Sequence, residues 1–169
     1  MRTSAWQVSL IGAPTDIGAS VRGAGMGPEA LRVAGLAEAI ARHGATVEDL
    51  GNLAGPVNPW RAPVDGFRHL PECIAWNRTI HDAVLQELRR DRVPILMGGD
   101  HSLAVGSISA VARHCRISGR RLRVLWLDAH ADANTADITP SGNLHGMPVA
   151  CLSGFGPPGL IELCGATPT

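Results

Sequence analysis

The chain has no tyrosine and no lysine, and aromatic residues make up only 4% of it. So few aromatics argue against a stacking surface for single-stranded nucleic acid. All fifteen cationic side chains are arginine, and fifteen acidic ones balance them. That zero balance argues against a binder of nucleic acid or anionic membranes, which needs a basic excess. The missing lysine carries no functional meaning; a G/C-rich coding bias accounts for it. No CxxC pair occurs among Cys73, Cys115, Cys151 and Cys164, which excludes a zinc ribbon or dithiol redox motif. Their wide spacing favours free thiols in a reducing compartment over a disulfide framework. No apolar run approaches the ~18 residues of a membrane span. The opening MRTSAWQVSLIGAP also lacks the apolar stretch of a signal peptide. The expectation is a soluble, cytoplasmic protein.

What is present is the material of one globular domain. Of 169 residues, 45% are apolar and 18% charged, enough for a real core. Residues 8–13 read as a strand. The loop after it carries Gly18, Gly23, Gly25 and Gly27 but neither GxxxxGK[ST] nor a GxGxxG opening a helix. It reads as a loop needing positive φ angles rather than a phosphate cradle. Pro28 suits a helix start, the stripe Leu31, Ala34, Leu36, Ala37 and Ile40 continues it, and Gly44 stops it. A short strand follows at 47–50, a loop at 51–66 and a second helix over about 71–91. Residues 93–97 form a buried strand, 103–112 a small-residue helix and 122–127 another apolar strand. A polar loop at 133–145 and two short helices, about 146–152 and 157–164, complete the pattern. Apolar strands without alternation, separated by helices, predict an α/β fold with a mainly parallel sheet covered on both faces.

Ligands of open α/β sheets bind beyond the carboxyl ends of the strands. Two segments put polar groups there: Gly98-Gly99-Asp100-His101-Ser102, and Asp128-Ala129-His130-Ala131-Asp132-Ala133-Asn134. In the second, Asp128, His130 and Asp132 stand at i, i+2 and i+4, which an extended backbone would turn to one face. Two carboxylates and an imidazole at one point call for a compensating cation. The mixed, oxygen-rich set leans towards manganese, with iron and zinc also compatible. His101, ending the other strand, could face the same site. The segment Ser141-Gly142-Asn143-Leu144-His145-Gly146 offers hydroxyl, amide and imidazole groups able to orient a polar substrate or move a proton. His43, His69, His81 and His114 stand without companions and read as surface or packing residues.

GGDHS at residues 98–102 and DAHAD at 128–132 resemble the metal motifs of the ureohydrolases, the family of arginase, agmatinase and formimidoylglutamase. Asn134 with SGNLHG at 141–146 is similar to the arginase branch in particular; agmatinases share DAHxD but do not typically carry that loop. The opening IGAPTDIGAS and GAGMGPEALRVAGL also resembles that branch, so the likeness covers essentially the whole chain. It implies a three-layer α/β/α fold and a site for two manganese ions per subunit. It matches His101, Asp128, His130 and Asp132 to metal ligands, with Asp128 bridging both ions. It implies that a bridging hydroxide attacks the guanidinium carbon of L-arginine, giving L-ornithine and urea. His145, matched to proton transfer or substrate positioning, and Asp132 are the catalytic residues it implies. Asn134, Thr139, Ser141 and Asn143 match positions that bind the α-carboxylate and α-amino groups. A homo-oligomer, trimer or hexamer, is implied as well.

The chain departs from the family in length. A downstream DxDxxDP-type segment supplies two more metal aspartates in the family, whereas no Asp follows Asp137 here. Later strands of the family fold also insert between those bearing His101 and Asp128. The expectation is one incomplete domain over residues 1–169, part of a longer arginase, with apolar strand edges left open. The alternatives are an agmatinase- or guanidinobutyrase-type ureohydrolase, or an inactive fragment serving as an interaction module.

Overall fold

A computed structural model describes residues 6–166 and 168–169. Three parallel strands, β1 (Gln7–Ala13), β2 (Thr46–Asn52) and β3 (Val93–Gly98), form a sheet in the order β2-β1-β3. Its register pairs Val8 with Val47 on one side and with Val93 on the other. The central strand is buried on both faces from Val8 to Ala13, and its one buried polar side chain, Ser9, donates to Glu87 Oε2 at 2.6 Å. Ile11 and Ala13 join the cluster of Cys73, Trp76, Ile80 and Val84, while Val8, Leu10 and Met97 join Leu36, Ala37 and Ile40 on the opposite face.

The larger face is covered by α3 (Leu70–Arg89) and α4 (Ala104–Ile117). Cys73, Trp76, Asn77, Ile80, His81, Val84 and Leu85 are buried along α3, a three-and-four spacing that makes one continuous stripe. The smaller face is covered by α1 (Gly27–Val33) and α2 (Leu36–Ala41). The sequence pattern predicts one helix here, and the structure divides it. Gly35 stands between the two with φ of +76°, a left-handed conformation that ends α1 and lets the chain turn. The short helices α5 (Pro148–Leu152) and α6 (Pro158–Ile161) finish the order. The layers are thus helix, parallel sheet, helix, as the α/β reading requires.

The second correction concerns residues 122–127, expected to be a strand. They form neither strand nor bridge, and Leu125 and Leu127 are 86% and 94% exposed. A strand exists by pairing its backbone with a neighbour, and among the described residues no strand lies beside this run. Its apolar composition therefore leaves it without regular secondary structure. The helix expected at 103–112 runs further, to Ile117. All four cysteines are free thiols. Burial pushes Cys151 up to about 11 and raises Cys73 further still, so both stay protonated and serve packing. No helix among the described residues is long and apolar enough to cross a membrane.

Candidate metal centre

Four loops meet at the carboxyl end of β1 and β3. The first, after β1, is tied to the turn after β3 by Asp100, whose carboxylate accepts the Gly18 N–H at 2.8 Å and the Ser102 N–H at 2.9 Å. The second of these bonds caps the 3-10 turn His101–Leu103. Burial raises the Asp100 carboxyl above its ordinary range, against the opposing pull of its hydrogen bonds from Ser102 and Gly18. Only glycine fits at position 18, because a Cβ there would stand 2.5 Å from Ser102 Oγ and 2.7 Å from Asp100 Oδ1. Gly18 in turn accepts the His145 N–H at 3.2 Å. The segment around Asp132 is pinned to the last loop by two backbone bonds, Val149 N–H to Asp132 O and Asn134 N–H to Gly146 O, both 3.0 Å.

This scaffold brings His101, Asp128 and Asp132 together, with one ligand atom from each inside a 4.8 Å span. His101 Nδ1 lies 2.9 Å from Asp128 Oδ2 and 2.8 Å from Asp132 Oδ2. One ring nitrogen carries at most one proton, so it cannot satisfy both carboxylates. The remaining like-charge contact is the arrangement a divalent cation relieves. The donor set therefore fits a metal ion. The backbone N–H of His130, donated to Asp128 Oδ1 at 2.8 Å, holds the Asp128 carboxyl below its ordinary range, helped by the imidazoles of His101 and His130.

The geometry differs from the extended face expected for residues 128–132. The chain bends over 128–130, and Asp132 is left-handed, with φ of +47°. An Asp tolerates that conformation better than most residues. The bend leaves the His130 ring 83% exposed, with Nδ1 3.6 Å from Asp128 Oδ1 and outside the group of three. Without a strand partner for 122–127, nothing holds the following residues in the alternation that the spacing predicts.

Beside the three ligand groups lies a cleft of about 450 Å³, lined by His130, Asp132, Asn134, Thr139, Ser141, Asn143 and His145. The His145 ring stands 6.3 Å from that of His101, centroid to centroid. Thr139 Oγ1 accepts the Gly142 N–H at 3.0 Å, and Ser141 Oγ accepts the Asn143 N–H at 3.2 Å. Each hydroxyl thus keeps its own O–H to donate. Another hollow of about 490 Å³, walled by Pro59, Val64, Phe67 and Leu70, has no comparable gathering of ligands. Sequence reasoning assigned no role to Asp100 or Arg68, which tie these loops together. The position of Asp100 inside GGDHS, one residue before His101, was the available signal.

A parallel α/β sheet with carboxylates and an imidazole gathered at its carboxyl end defines the chain as an α/β protein with a candidate metal site. The arginase family model matches residues 6–164, and the chain belongs to that family. It is 42% identical over 163 residues to the arginase of Bacillus caldovelox, covering 95% of this chain and 53% of that protein. The solved structure of that arginase superposes with a TM-score of 0.85 at 40% identity, over 96% of this chain and 54% of that one. The Entamoeba histolytica arginase, solved in complex with L-ornithine, gives 0.84 at 32% identity, over 96% and 54%. A hypothetical agmatinase from Burkholderia thailandensis shares the fold more distantly, with a TM-score of 0.61 at 24% identity over 86% and 44%. The chain spans about half the length of the curated relatives it matches.

Proposed function

We propose that the protein built on these residues is an arginase, hydrolysing L-arginine to L-ornithine and urea with two manganese ions per subunit. The observation that carries the reading is the convergence of Asp128 and Asp132 on His101 Nδ1, at 2.9 and 2.8 Å, beside a cleft of hydrogen-bond donors. His101, Asp128 and Asp132, with His130 next to them, would hold the metal. When bound, the metal supplies a water nucleophile at neutral pH. Asn134, Thr139, Ser141 and Asn143 bind the amino-acid end of the substrate and set the distance to the guanidinium. Asp132, which shares His101 Nδ1 with Asp128, fixes the orientation of that imidazole. His145 moves a proton at its ring nitrogen between the reacting groups and solvent. The resemblance of the motifs extends the proposal to a homo-oligomer, trimer or hexamer, and the sequence composition to the cytoplasm.

The test uses the full-length protein, supplied with manganese and assayed for urea from L-arginine and from agmatine. A site that pairs a carboxylate rejects the analogue lacking it, by about 10⁴–10⁵-fold where the pairing is complete. Release from agmatine at a rate equal to that from L-arginine would overturn the substrate assignment. Asp128→Ala is expected to abolish both metal retention and turnover. Elemental analysis finding two manganese ions per subunit in that variant would sink the metal assignment.

A further inference from the structure

Arg68 lies outside every motif that identifies the family, yet it holds the loop at residues 141–143 in three places and ties it to Arg61 by a fourth bond. Its backbone N–H donates to Gly142 O at 2.8 Å. Its guanidinium donates from Nε to Asn143 Oδ1 at 2.8 Å, from Nη1 to Arg61 O at 2.6 Å and from Nη2 to Ser141 O at 3.5 Å. A guanidinium has five N–H donors and no acceptor. The Asn143 amide must therefore present its oxygen to Arg68, which leaves Nδ2 on the other side. There Nδ2 donates to Ser20 Oγ at 3.0 Å, and one N–H remains for a ligand. With a cation 2.8 Å from Oδ1, the amide disfavours a second cation and favours an anion. Asn143 thereby joins the hydroxyls of Thr139 and Ser141, whose oxygens already accept backbone N–H groups.

We infer that Arg68 is a positioning residue that fixes the Asn143 amide as a hydrogen-bond donor, and so sets the preference of the cleft for a ligand bearing a carboxylate. This deepens the arginase reading and rests on it for the location of the substrate. Part of the choice between an amino acid and its decarboxylated analogue then depends on a residue that touches neither.

The experiment compares full-length wild type, Arg68→Met, Arg68→Lys and Asn143→Asp. Calorimetry measures binding of L-ornithine and of putrescine, its decarboxylated analogue, and kinetics give kcat and KM for L-arginine and agmatine. Arg68→Met is expected to weaken L-ornithine about tenfold while putrescine changes by less than about twofold, the size of one charge-assisted hydrogen bond. KM for L-arginine rises with kcat retained, and Arg68→Lys, a single-point donor, recovers part of the loss. Equal weakening of both ligands, or a fall in kcat at constant KM, would show a merely structural role and overturn the inference. Should Arg68→Met fail to fold, Arg68→Lys carries the test of Arg68 itself, and Asn143→Asp tests the donor that Arg68 is inferred to fix. It keeps the Arg68 contact as an ion pair but removes the N–H donors, so L-ornithine binding falls and putrescine binding holds. Wild-type L-ornithine affinity in Asn143→Asp overturns the inference. A wild type that prefers L-ornithine but releases no urea overturns the hydrolase reading alone, and the binding measurements still decide the role of Arg68. A wild type that binds neither ligand overturns both.

Discussion

Strand β2 closes one side of the sheet with Glu48 and Asp49, whereas β3 presents Val93, Ile95 and Leu96 on the other. The β2 side is knitted with charge. Arg32 grips Asp49 through Nε at 2.7 Å and Nη2 at 3.0 Å and also reaches Glu29, and Arg92 reaches Glu48 at 3.1 Å. Charged side chains of this kind keep an edge from pairing with a second chain. Among the described residues no side chain of β3 takes part in an ion pair, and the apolar run 122–127 stands with Leu125 and Leu127 in solvent. One side is built as an edge and the other as sheet interior. The candidate metal ligands follow the same division, since His101 rides on the paired strand β3 while Asp128 follows the unpaired run.

The comparison breaks or sharpens under substitution, and the largest effect belongs to the centre of the sheet. Leu10, 1% exposed between β2 and β3, should cost about 2–5 kcal/mol when changed to Ala in the 169-residue chain, as buried leucines do. Urea unfolding would read this, and a cost below 1 kcal/mol, roughly a surface value, would mean that the paired region is not the folding core.

A smaller effect is expected at the guarded edge. Arg32→Ala should destabilise by about 0.2–1 kcal/mol near neutral pH, the range for a surface ion pair. The hydrogen bond from Arg32 lowers the Asp49 carboxyl from its ordinary value of 3.8. A carboxyl lowered on folding stabilises above its unfolded pKa and loses that contribution as pH falls through its folded pKa. The gap between Arg32→Ala and wild type should therefore close on acidification below 3.8. A gap that stays constant would assign the effect to lost packing of the Arg32 stem.

The smallest effect is expected in the bare run. Leu125→Ala should change the unfolding free energy of the 169-residue chain by less than about 0.5 kcal/mol, because its side chain is already hydrated. A loss comparable to that of Leu10→Ala would show that the run is buried in solution, by self-association or otherwise. Light scattering across a concentration series would separate those two cases.

Much of this was legible in the residues. The runs at 8–13 and 93–97 became strands because each is short, mostly apolar, followed by glycine or proline and paired with a neighbour, and α3 followed from its unbroken three-and-four spacing. Pro28 and Gly44 correctly bracketed a helical region. Gly35 within it looked no different from a tolerated helix glycine, and its left-handed φ depends on how two short helices meet the sheet. The two strings GGDHS and DAHAD pointed to a cation site, since clustered carboxylates and imidazoles have few other uses. They did not reveal that the chain bends at 128–130 and turns His130 outward.

The sequence by itself determined the class of fold, the family and the chemistry of the candidate ligands, because hydrophobic period and ligand type are properties of neighbouring residues. Tertiary structure alone decided which apolar run became a strand, since pairing needs a partner strand that local composition does not supply. It also decided that Asp100 would bind the loop after β1 and that Arg68 would orient Asn143. Those contacts join residues 82 and 75 positions apart, a separation that no local pattern encodes and that only the packed loops bring within hydrogen-bond reach.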